Sequence, residues 1–243
     1  MNAQVPYSRR VWPGLILPPV FFLMVIVLAS VLVGARQGGD AQVIAEQVAA
    51  ATPVLLLIVQ VAMLLLTVGL LRRDRLSWEA IGWAIPTSGS AWREVVAGLI
   101  PGVALGILYP TVLAPWMESA QRSLGDYVPA GELLTSLGSA ILPFFLANVV
   151  LAPLVEENLY RGYALRSLAS RFGTPAAILL TCAFFGVLHW SGGFWYMVLT
   201  GVVAGGVLGG LAVWRKNTVA PFVAHLSLNF LEFLFVVLWL PAG

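Results

Sequence analysis

The sequence predicts an all-α, polytopic membrane helix bundle of about seven transmembrane spans with a cytoplasmic amino terminus. Three observations predict it. The 243 residues are 60% apolar and only 10% charged, against roughly 45–50% and about 25% in soluble domains. The apolar residues run continuously, where the strands of a membrane barrel would alternate, and mean hydropathy is +0.92. Finally, the cations cluster on alternate loops. This composition excludes a water-soluble enzyme and a disordered or collagen-like chain. A formal net charge of +2 points to no nucleic-acid partner. The single cysteine, Cys182, cannot close an internal disulfide.

About 20 apolar residues cross a ~30 Å hydrocarbon core. Seven segments qualify, near 15–33, 53–71, 95–114, 133–155, 175–190, 194–213 and 219–240. The first resembles a signal peptide in its Arg9-Arg10 start, but its apolar stretch exceeds a usual signal core, so it reads as a retained span. Residues 1–243 are expected to form one integral membrane domain. Spans and loops without a motif fill 1–131, and the polar motifs fall in 132–243.

Orientation follows from the excess of positive charge on cytoplasmic loops. Arg9 and Arg10 precede the first span. Arg72, Arg73, Arg75 and Arg93 fall in the second loop, Arg161, Arg166 and Arg171 in the fourth, Arg215 and Lys216 in the sixth. The other side holds only Arg36 and Arg122. The nine tryptophans lie at span ends or in loops, where an amphipathic indole sits best. The plasma (inner) membrane of a bacterium or archaeon is the expected location. Gly201, Gly205 and Gly209, and Gly206 with Gly210, stack small residues four apart, which lets helices approach closely. Residues 76–83 read as a short amphipathic segment on the cytoplasmic surface.

Ionisable side chains inside spans cost roughly 2.5–3.5 kcal/mol each and are functional candidates by default. The only two histidines, His189 and His225, fall within apolar segments. Glu156 and Glu157 end the fourth segment, and Asn229 and Glu232 lie in the seventh. Glu157 and Arg161 are four apart on one helical face, where carboxylate and cation pair well. Glu156 is turned about 100° away. His225 and Asn229 share a face, as do Phe185 and His189.

Glu156-Glu157-Asn-Leu-Tyr-Arg161, Phe185-Gly-Val-Leu-His189 and His225-Leu-Ser-Leu-Asn229 together resemble the motifs of the CAAX-protease and bacteriocin-processing family, intramembrane proteases that include the Ras-converting prenyl-protein endopeptidases. The resemblance covers a little under half of the chain and departs at Asn158, where the family more often has an apolar residue. It implies a peptide-bond hydrolase acting on a membrane-anchored or lipid-modified polypeptide. Glu156 would be the general base, holding a water with His189. His225 and Asn229 would donate to the oxyanion, and Glu157 and Arg161 would orient the site. The bland readings are a solvated carboxylate for Glu156, a hydrogen-bonded core histidine for His189, and an interhelical pair for His225 and Asn229. No cofactor is expected. The alternative is zinc on the histidines and a glutamate, although no His-Glu-x-x-His pair occurs.

Two rival functions remain. One is a non-catalytic scaffold or bacteriocin-immunity protein of the same fold; the other is a transporter, which would be expected to show internal repeats. One geometric conflict also stands. A straight fifth span starting at the surface carries His189 to the far side, away from Glu156 and His225.

Overall fold

The computed structural model describes residues 5–83, 91–127 and 140–239. These residues form helices and no strand. Seven rods follow one another: α1 (Val11–Gln37), α2 (Ala41–Arg73), α3 (Ala91–Leu124), α4 (Ile141–Phe172), α5 (Thr174–Leu188), α6 (Phe194–Arg215) and α7 (Val219–Trp239). Five are long and apolar enough to cross a membrane, and α5 and α7 contribute shorter apolar stretches. The chain is an all-α integral membrane protein.

Local chemistry sets the rods' ends. Gly38 takes φ +83° to leave α1, and the Asp40 side chain caps α2 by accepting from the Gln42 and Val43 amides at 2.9 and 3.4 Å. Inside the rods, π-helical turns occupy Tyr109–Leu113, Phe145–Leu151, Glu157–Ala164 and Thr200–Ala204. The bundle is polar inside and greasy outside. Met24, Leu65, Ile100, Leu179 and Val202 are exposed, whereas Gln60, Glu156, Glu157, Arg161, His225 and Asn229 are buried, which is the arrangement a lipid solvent favours.

The cation-bearing ends gather at one end of the bundle, as the charge pattern predicts. Arg10 pairs with Asp74, and Tyr163 Oη donates to Asp74 Oδ2 at 2.7 Å. Arg215 grips Glu94 through two bonds of 3.0 and 2.6 Å, and Arg166 Nη2 donates to the Lys216 carbonyl at 3.2 Å. At the opposite end the Phe194 amide donates to Asp126 at 2.8 Å and Trp195 Nε1 to the Gly125 carbonyl at 2.9 Å.

Glycines bring two pairs of rods into close contact. Along α3, a Cβ on Gly98 or Gly102 would collide with the α7 backbone at Ala220 or Ala224, and one on Gly106 with the Leu231 side chain. This register positions the helix that carries His225 and Asn229, and the sequence reading does not single it out. The predicted register of Gly201, Gly205 and Gly209 packs α6 on Gly186, Cys182 and Ile178 of α5, whereas Gly206 and Gly210 meet nothing within 4 Å.

Two expectations need correction. The fourth span does not end near 155. Its first residues, 133–139, lie outside the described residues, and its helix continues to Phe172. Arg161 is therefore not a loop cation; it is a core residue only 2% exposed. Residues 76–83 are more than a surface segment: Ser77, Trp78 and Glu79 are exposed, but the residues after them turn into the bundle. Ile81 is fully buried, its carbonyl accepts from Thr218 Oγ1, and the Thr218 amide donates to the Gly82 carbonyl at 2.9 Å. Gly82 takes φ +101° in a position where a Cβ would strike Arg166 and Thr218. Interior hydrogen bonding outweighs the amphipathic pattern here.

Candidate active site

The adjacent glutamates of α4 face different neighbours, as a 100° step requires. Glu156, 3% exposed, accepts a hydrogen bond of 2.9 Å from Gln60 Nε2 of α2, and its Oε2 has no partner among the described residues. Glu157 Oε1 receives Arg161 Nη1 at 3.0 Å and His225 Nδ1 at 2.8 Å. Arg161, Glu157 and His225 thus form one buried chain linking α4 to α7. The Arg161 guanidinium also lies 4.1 Å over the Phe185 ring, and its Nη2 donates to the Gly205 carbonyl at 3.4 Å.

The corrected length of α4 removes the conflict over depth. Helices α4 and α5 form a hairpin that turns at Gly173, and Glu157 and His189 each lie sixteen residues from that turn. They are level because the two arms are equally long. The contacts of Gly186 with Gly201 and of Cys182 with Gly205 set an antiparallel register that continues to His189 opposite Val198, about one turn inside the start of α6. At 15 residues, α5 is about 22 Å long, short of the ~30 Å core. The turn at Trp190–Gly192 joins its end to the start of α6.

His189 caps α5, and its Nδ1 lies 2.7 Å from the Phe185 carbonyl. A carbonyl only accepts, so Nδ1 carries a proton, and when the ring is neutral Nε2 is left to accept. Phe185 is the common wall, its ring centroid 4.8 Å from that of His189, 5.9 Å from His225 and 5.4 Å from Tyr160. His189 lies within electrostatic reach of Glu156 and His225.

Asn229 sits one turn beyond His225 and is 6% exposed; its Nδ2 donates to the Asn148 carbonyl at 2.8 Å. Local sequence makes that carbonyl available. Phe145–Leu151 is bonded five residues apart, as in the Ala152 amide to the Ala147 carbonyl. Pro153, five after Asn148, has no N–H to offer it. The second Nδ2 hydrogen of Asn229 is not used by this bond.

Of the six residues the motifs nominate, Glu156, Glu157, Arg161, His225 and Asn229 are buried, and half-buried His189 lies within electrostatic reach of Glu156 and His225. Sequence reasoning missed Gln60, whose signal was available as a lone amide inside an apolar span. It also missed Tyr109 and Tyr196. Tyr109 Oη and Thr200 Oγ1 are 2.7 Å apart, the two tyrosine rings lie 6.0 Å apart, and Tyr196 lies 6.1 Å from His189. Glu232, more than a third exposed, is within electrostatic reach of both tyrosines. Asn158, the departure from the family pattern, ties Trp83 Nε1 to its Oδ1 and bonds the Leu154 carbonyl at 2.6 Å. Its part is to anchor the 79–83 turn.

Among the described residues no three His, Cys, Asp or Glu side chains form a group that could hold a metal ion.

No curated protein and no solved structure matches the chain. Residues 138–231 are similar to the model of the Rce1-like type II CAAX prenyl endopeptidases, a stretch that contains both glutamates, both histidines and Asn229 but not Gln60, and this match supports the resemblance to the CAAX-protease family that the motifs suggest.

Proposed function

We propose that the protein is an intramembrane endopeptidase of the glutamate type that works without a resident metal or cofactor. Its substrate is a membrane-anchored or lipid-modified polypeptide, a class consistent with the family. One observation carries this reading. Glu156 is buried within electrostatic reach of His189, with one carboxylate oxygen fixed by Gln60 and the other without a partner among the described residues.

Glu156 Oε2 and His189 Nε2 are both acceptors. A water between them donates one hydrogen to each and turns a lone pair toward the substrate carbonyl. As the water oxygen bonds to the carbonyl carbon, its proton passes to Glu156. The carbonyl oxygen becomes an oxyanion and accepts from His225 Nε2–H and from the free Nδ2 hydrogen of Asn229. His225 already donates through Nδ1 to Glu157, so donation from Nε2 as well makes it an imidazolium, whose charge faces the Glu157 carboxylate. The carbon–nitrogen bond then breaks, and the proton held by Glu156 goes to the leaving amine.

The test is cleavage of lipidated and membrane-anchored peptides by the wild type, Glu156→Gln and His189→Ala in liposomes, followed by mass spectrometry. Loss of a general base costs about 10²–10⁴-fold, so cleavage is expected to fall by at least the lower figure in both variants with the fold intact. Equal turnover by all three proteins excludes the proposal.

A further inference from the structure

We propose that the arginine-rich end of the bundle carries a binding site for a phosphate anion, built from the segment before α1 and the end of α2. A cavity of about 550 Å³ opens there, lined in part by Ser8, Arg9, Arg10, Arg73, Asp74 and Arg75. Four arginines and one carboxylate are among its lining residues. That carboxylate is already committed to Arg10 and to Tyr163 Oη. Burial pushes the Asp74 carboxyl up, but hydrogen bonds from Tyr163, Ser8 and Arg10, with the Arg10 charge, outweigh it and hold it below the usual carboxylate range. It is ionised at neutral pH and cancels one arginine. Arg9, Arg73 and Arg75 have no acidic partner among the described residues, which leaves three uncompensated guanidinium groups on one notch.

The notch has a fixed frame. Val5 and Val11 are buried at 3% and 0% exposure. The Ser8 amide donates to Ser167 Oγ at 3.0 Å, Ser167 Oγ donates to the Pro6 carbonyl at 3.3 Å, and the Arg171 guanidinium lies 4.8 Å over the Tyr7 ring. On the other wall Arg75 sits at φ +55°, a left-handed conformation uncommon outside glycine. A preference for positive charge on one side of a membrane explains the sign of these residues. It does not explain their convergence from two helix ends onto one cavity with their only carboxylate neutralised. Guanidinium forks match phosphate oxygens in pairs.

Depth favours a lipid headgroup as the source. Ile16 and Leu17, each 46% exposed and apolar, lie within two turns of Arg10 along α1, and Leu65, 67% exposed, lies eight residues before Arg73 on α2. The notch is therefore roughly 10 Å beyond lipid-facing surface, where basic pockets between transmembrane helices meet headgroups. Free phosphate presents the same chemistry.

The experiment uses full-length, delipidated protein in detergent and does not depend on any peptidase activity. Native mass spectrometry with equimolar phosphatidylglycerol and phosphatidylcholine reads lipid retention, and thermal unfolding with inorganic phosphate reads the soluble anion. The wild type is expected to prefer phosphatidylglycerol by about tenfold or more. Arg9→Gln/Arg73→Gln/Arg75→Gln should lose that preference, and the milder Arg73→Gln/Arg75→Gln should lose part of it should the triple variant misfold. Arg72→Gln/Arg93→Gln, which removes charge outside the cavity, should keep it. Stabilisation by inorganic phosphate in the wild type but not the triple variant, without a lipid preference, identifies a soluble phosphate as the occupant. Equal behaviour of wild type and site variants toward both probes, or an equal loss in the Arg72→Gln/Arg93→Gln control, overturns the proposal.

Discussion

Two of the carboxylate–guanidinium pairs in this bundle lie at different depths. At the arginine-rich end, Arg10 is about half exposed and its partner Asp74 is 8% exposed. In the interior, Arg161 and Glu157 are 2% and 0% exposed and 3.0 Å apart. The outer pair connects the start of α1 to the end of α2 and leaves its arginine in contact with water. The inner pair lies on a single helix and so connects nothing by itself. Its interhelical reach comes from further partners, His225 on α7, the Gly205 carbonyl on α6 and the Phe185 ring on α5. Burying an ion pair costs more solvation than a hydrophobic pair of the same shape. The inner pair therefore adds little stability that leucine and methionine could not supply, and what it adds is a fixed orientation for an imidazole.

The contrast gives its largest expected effect on removal of one cation. Arg161→Met removes the permanent charge from beside buried Glu157 and leaves it only the His225 hydrogen bond, which costs about 3–5 kcal/mol. Arg10→Gln breaks a half-exposed pair and should cost less than about 1 kcal/mol. Chemical unfolding in detergent measures both, and similar losses would erase the distinction between the depths. Next in size is Gly102→Leu. A side chain there meets the Ala224 backbone, so overpacking of about 1–3 kcal/mol is expected, with α7 and its His225 displaced. A Cβ on Gly210, an exposed residue, meets nothing within 4 Å, so Gly210→Leu should be silent in the same assay. Equal unfolding free energies for the two would show that α3 and α7 are not in close contact.

The outer half of this comparison was legible in the sequence and the inner half only in part. Apolar run length finds the rods, and the alternation of arginines finds which ends meet, because both depend on composition alone. The end of the fourth rod was not legible. Glu156, Glu157 and Arg161 interrupt its hydropathy, and a polar stretch reads as a loop unless its partners are known. Those partners, Gln60, His225 and Gly205, lie 44 to 96 residues away. That misplaced end alone created the apparent conflict over His189. The spacing of the motifs placed Glu157 with Arg161 and His225 with Asn229 because local helical geometry decides those pairs. It could not supply Gln60, which belongs to the interior through a contact between distant helices.

Gln60 sharpens the comparison from the catalytic side. Its amide is the one group that fixes Glu156 without opposing charge, so Gln60→Leu tests whether the inner carboxylates need orientation as well as neutralisation. A hydrogen bond to a charged group is worth about 1.5–3 kcal/mol, which predicts a fall in kcat of about 10- to 100-fold. KM should change little, since Gln60 touches the base and not the bulk of the substrate. A rise in KM with kcat intact would assign Gln60 to substrate binding instead.

The smallest effect belongs to the outer pair and is visible only in acid. The hydrogen bonds and the Arg10 charge hold the folded Asp74 carboxyl below its ordinary value despite burial. A depressed carboxyl contributes stability that is present above its unfolded value of about 3.9 and is lost as pH falls through the lower folded value. Melting temperatures of the wild type and Asp74→Asn should therefore differ by a constant amount above about pH 5, with the wild type higher by no more than about 2–4 °C. Below about pH 4 the gap should close, because the wild-type carboxyl gains the proton that the amide variant never needed. A gap that widens on acidification would mean that burial dominates at Asp74, and the outer pair would then obey the same rule as the inner one.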